Sequence, residues 1–91
     1  MNPTNGEKRA AQYREIAAAV RRGQWDRVGA EPTDDVRGDE RATIRRAWYL
    51  AEVAQGADGP RLDRTQARTA LLLEEAARLA IAAEVDEAMG R

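Results

Sequence analysis

The chain has 91 residues with no Cys, His, Ser or Phe, and its 15 basic residues nearly balance 16 acidic ones. That length holds one domain with a thin core, and the missing Cys and His exclude a disulfide framework and zinc sites built on those ligands. The same gaps remove the commonest general base and two of the commonest nucleophiles, while a net charge of −1 exerts no global pull on nucleic acid.

The chain is therefore expected not to be an enzyme, and no cofactor, metal site or small-molecule substrate is inferred. Much of the 43% apolar share is alanine, which lets helices approach closely but buries little area, at about 25 cal/mol per Å². Arg outnumbers Lys by 14 to 1. The start lacks the apolar stretch of a signal peptide, and no run approaches the ~18 apolar residues of a membrane span. The expected location is the cytoplasm, with no membrane partner.

Thr4-Asn5-Gly6-Glu7 fits a capping box, with Thr4 as N-cap and Glu7 three residues on. A first helix near 5–22 follows and stops at Gly23. Tyr13, Ile16, Ala17 and Val20 form its apolar face at spacings of three and four, leaving Arg9, Arg14, Glu15 and Arg21 to solvent. Residues 23–38 read as an irregular acidic loop punctuated by Gly23, Gly29, Pro32 and Gly38. Sixteen residues without structure is long for a compact domain. A helical turn is therefore expected inside it, at either 24–28 or 32–37. Trp25 and Val28, three apart, are expected to fold back on the core. From Glu31 to Glu40 five acids stand against Arg37; the order and spacing are not those of a calcium loop, so the segment reads as solvated.

Asp39 is the expected N-cap of a second helix near 39–55, which ends at Gly56. Ile44, Ala47, Trp48, Ala51 and Ala54 make one stripe, with Leu50 and Val53 beside it. Trp48 is expected among the most buried residues, near Ile44, Leu50, Leu72 and Leu79. The short Gly56-Ala57-Asp58-Gly59 connection predicts an antiparallel hairpin with the third helix. That helix, near 60–89, opens with Pro60 or with Asp63 as N-cap, and nothing breaks it before Gly90. It would be roughly 45 Å long. Leu71, Leu72 and Leu73 cannot face one way at about 100° per residue, so its middle is apolar on most sides. Glu84, Asp86 and Glu87 near its end oppose the macrodipole. The fold class is all-α: a three-helix bundle, or a helical hairpin plus an N-terminal helix, with a long C-terminal helix.

Two functional expectations follow. The first is a non-catalytic protein–protein interaction module. The third helix outruns the second, and its distal part carries Leu71, Ile81, Val85 and Met89. An apolar ridge left in water marks an interface, and a homodimer is the commonest solution. The alternative is a small nucleic-acid-binding protein using Arg41, Arg45 and Arg46 on the second helix and Arg61, Arg64 and Arg68 on the third. The last three step by three and four and share a face. Because a hairpin sets the start of one helix beside the end of the other, the two clusters are expected at opposite ends.

Overall fold

The computed structural model describes residues 4–28 and 36–88, with side chains through Val85. In chain order it contains α1 (Asn5–Arg21), a 3-10 turn (Trp25–Val28), α2 (Gly38–Ala54) and α3 (Gly59–Ala88). The fold is all-α, a bundle of three helices with no strand among the described residues. Every helix bound inside the described residues lies within one residue of its expected place, and the expected end of the third helix, residue 89, lies outside them. The helical turn in the connecting segment is at Trp25–Val28; most of the other candidate, 32–37, lies outside the described residues.

α1 starts where Thr4, in extended conformation, accepts a hydrogen bond from the Glu7 amide at 3.1 Å. It ends in a Schellman motif: Gly23 N–H donates to Val20 O and Gln24 N–H to Ala19 O, with Gly23 at φ +82°. The α2 N-cap is a correction. Arg37, not Asp39, occupies it, without a side-chain bond. Gly38 takes φ +60°, so the helix begins one residue early. Asp39 and Glu40 then lie in the first turn, where carboxylates favour the positive end of the helix dipole. α3 runs unbroken through Leu71, Leu72 and Leu73. Thr69, wholly buried within it, donates its hydroxyl to Thr65 O at 2.7 Å.

α3 is the spine, and the longest dimension of the molecule is 47 Å. α1 and α2 both pack along it. Gly6 meets Glu84, and Val20 O accepts from Gln66, so α1 is antiparallel to α3 and covers its distal half. α2 is antiparallel to α3 as well, so α1 and α2 run in the same direction. Trp25 and Val28 pack, partly buried, against Ala17, Val20, Ala47, Ala70 and Leu73.

The core is an alanine seam. Ala10, Ala17, Ala47, Ala70, Ala76, Ala77 and Ala80 are all 0–1% exposed, and the largest fully buried side chains are Val20 and Thr69. The expected core is thereby corrected. Trp48, Ile44, Leu50, Leu72 and Leu79 are only half-buried. Alanines bring the helix axes close together, so beyond buried Leu73 and Tyr13 the centre leaves little room for large side chains and most of them lie along its margins.

Candidate functional site

Three clusters of polar side chains arise from this packing. Arg9 and Tyr13, one turn apart on α1, reach one carboxylate on the first turn of α2. Glu40 accepts from Arg9 Nε at 2.8 Å, Arg9 Nη2 at 3.2 Å and Tyr13 Oη at 2.7 Å. It is 5% exposed. Burial first, then the bond to Glu40, pushes the Tyr13 phenol above its ordinary value. The same carboxylate, chiefly by hydrogen bonding, raises the Arg9 guanidinium. Both Arg9 and Glu40 were expected in solvent; the position of Arg9 four residues before Tyr13, at the edge of the apolar face, is a local signal for the arginine, and none marks Glu40. Among the described residues no buried side-chain nitrogen or oxygen lacks a partner. The cluster ties α1 to α2.

The second cluster joins the far ends of α1 and α3. Gly6 N–H donates to Glu84 Oε1 at 2.8 Å. A Cβ at residue 6 would overlap Glu84 Cγ and come within 2.6 Å of Ala80 O, so only glycine permits this approach. An acid expected to oppose the α3 dipole instead faces the positive end of α1.

The third cluster is open. Arg45, Arg46, Tyr49 and Leu50 of α2 and Arg68 and Leu72 of α3 line a groove of about 410 Å³ on the outer face of the hairpin. Leu50 and Leu72 are half-buried, whereas the three arginines and Tyr49 are exposed. Tyr49 is 62% exposed, more than any other large apolar or aromatic residue described. The chain's ion pairs among the described residues fall elsewhere, at Arg9–Glu40, Arg21–Glu74 and Arg27–Glu15. No acidic residue lines the groove.

This arrangement corrects the expected separation of the arginine clusters. Arg45 and Arg46 sit in the middle of α2, so their antiparallel neighbours are in the middle of α3, and Arg68 joins them. Arg41 is elsewhere, donating to Val36 O at 3.3 Å. Arg61 and Arg64 are exposed on the first turns of α3 and do not line the groove. Of the four distal apolar residues, Leu71 and Val85 are 59% and 51% exposed. They lie fourteen positions apart, about 21 Å along the helix, with exposed Glu75, Arg78 and Ala82 between them. Ile81 packs, half-buried, on Ala10, Tyr13, Ala76, Ala77 and Ala80. Met89 lies outside the described residues.

Among the described residues, no group of three or more acidic side chains is placed to hold a metal ion, and no helix is long and apolar enough to cross a membrane. The chain matches no known protein family, no curated protein and no solved structure.

Proposed function

We propose that this chain is a non-catalytic protein-binding module that works through the outer face of the α2–α3 hairpin. The observation that carries the reading is the groove: three uncompensated guanidiniums and an exposed tyrosine around two leucines. Arg and Tyr at the rim of a small apolar centre are the composition of interface hot spots. The other two polar clusters are internally satisfied and hold the helices together. The distal α3 residues support self-association less well, because charged and small side chains separate Leu71 from Val85, and Ile81 is committed to the chain's own core.

The test is site-specific photo-crosslinking in cells that express the protein, with a benzophenone side chain at position 49 or, as a control, at exposed position 18. A protein adduct formed at 49 and not at 18 is expected. The captured protein, once purified, should bind the parent and not an Arg45→Ala/Arg46→Ala/Arg68→Ala variant. Equal adducts at both positions, or a partner indifferent to the three arginines, would contradict the assignment.

A further inference from the structure

We infer that the occupant of this groove is an acidic polypeptide segment that carries apolar side chains among its carboxylates. The inference rests on the reading of the groove as a protein-binding surface and assigns the partner's chemistry.

The order of residues along the two helices carries the argument. On α2, Arg46 precedes Leu50 by four positions, and Arg45 precedes Tyr49 by four. On α3, Arg68 precedes Leu72 by four. Four positions is about one helical turn, so each arginine sits over the same face as its apolar partner, roughly 6 Å toward the N-terminus. Because α2 and α3 are antiparallel, those two displacements point in opposite directions. Ala47 packs in one cluster with Ala70 and Leu73, so Arg46 lies near the level of Leu72 and Arg68 near the level of Leu50, and guanidinium and leucine alternate across the groove. A complementary segment carries carboxylates interspersed with apolar side chains rather than in a separate block.

Charge supplies the second half. The carboxylates that do hold partners serve other groups: Glu15 with Arg27, Glu40 with Arg9, Glu74 with Arg21 and Glu84 with the Gly6 amide. The groove's guanidiniums, planar forks suited to bidentate carboxylates, have no such internal partner. A nucleic acid fits less well. The basic positions are interrupted by leucines that offer a phosphate backbone nothing, and the chain as a whole is slightly acidic.

The test is selection of random twelve-residue peptides displayed on phage against the immobilised parent, with counter-selection on the triple alanine variant. Acidic peptides with interspersed apolar side chains should be enriched. A synthetic peptide from that set should bind about threefold more weakly for each arginine removed and about thirtyfold more weakly without all three. A triple Arg→Lys variant should fall between, keeping the charge without the fork. All substituted side chains are exposed, and circular dichroism checks that helicity is retained. Enrichment of neutral or basic peptides, or of none, would overturn the inference. So would tighter binding of a fifteen-residue oligothymidylate, displaced from the groove by the selected peptide. If the position-49 crosslink persists while the peptides show no acidic pattern, the protein-binding reading stands and the acidic partner falls. If the crosslink is absent as well, both fall.

Discussion

Replacing Gly6 with alanine should destabilise the fold, although the same change at an unhindered helical position stabilises by about 1 kcal/mol. The competing terms can be set out from the geometry. The new Cβ would overlap Glu84 Cγ, a flexible group, and lie 2.6 Å from Ala80 O, which is backbone and cannot turn aside. Carbon and carbonyl oxygen require about 3.3 Å, so the first turn of α1 must lift from α3 by about 0.7 Å or more. The Gly6–Glu84 hydrogen bond, now 2.8 Å and partly buried, stretches or breaks. A charge-assisted bond of this kind contributes about 1.5 kcal/mol at the low end of its range, and overpacking costs a further 1 kcal/mol or so. After the propensity gain, a net loss of about 1–2 kcal/mol remains, which lowers the melting temperature by roughly 5–15 °C in a domain of this size. Thermal unfolding followed by circular dichroism reads the sign directly. Amide exchange should accelerate first in residues 5–10. The cost should shrink in a Glu84→Ala background, where the bond and Cγ are already gone. A Gly6→Ala protein as stable as the parent, or more so, would refute the close approach of α1 to α3.

Other predictions follow from the same packing. Glu40→Ala should cost about 3 kcal/mol, the low end for breaking a buried ion pair because Arg9 keeps some solvent. Adding Arg9→Ala should cost less than the sum of the two, as a denaturant double-mutant cycle would measure. The raised Tyr13 phenol stabilises the fold fully below its ordinary value near 10, and that contribution is lost as pH rises above it toward the folded value. In a Tyr49→Phe background, where Tyr13 is the remaining tyrosine of two, tyrosinate absorbance should appear together with loss of helicity. Ala77→Leu should cost about 1–3 kcal/mol by overpacking the seam, whereas exposed Leu71→Ala should change stability by less than about 0.5 kcal/mol; equal urea midpoints for the two would contradict the alanine core.

The helices were legible because their punctuation is local. Thr4, Gly23, Gly56 and Pro60 act within a turn of where they stand, and the bounds they predict lie within one residue of those observed. The core was harder to read, because side-chain size is a poor guide to burial in this chain. Trp48 fits the stripe by spacing, but spacing does not say how near two axes come. Ala47, Ala70 and Ala77 decide that, and they look unremarkable in a sequence this rich in alanine. Polar partnerships across the fold were hidden for a related reason. Glu40 and Glu84 read as solvated or unfavourable until α1 is known to lie on α3 and beside the start of α2. The groove was half visible. All three of its arginines stood out as members of clusters, but the register of α2 against α3 had to be known before Arg45, Arg46 and Arg68 could be placed around one centre.

The most direct test of the working surface is an amide nuclear magnetic resonance titration of the ¹⁵N-labelled protein with a peptide or partner recovered by the experiments above. Shifts concentrated at residues 45–50 and 68–72, with Arg41 and the 81–85 segment little changed, are the result the groove predicts. Shifts concentrated on distal α3, around Ile81 and Val85, with residues 45–50 unmoved, would contradict it.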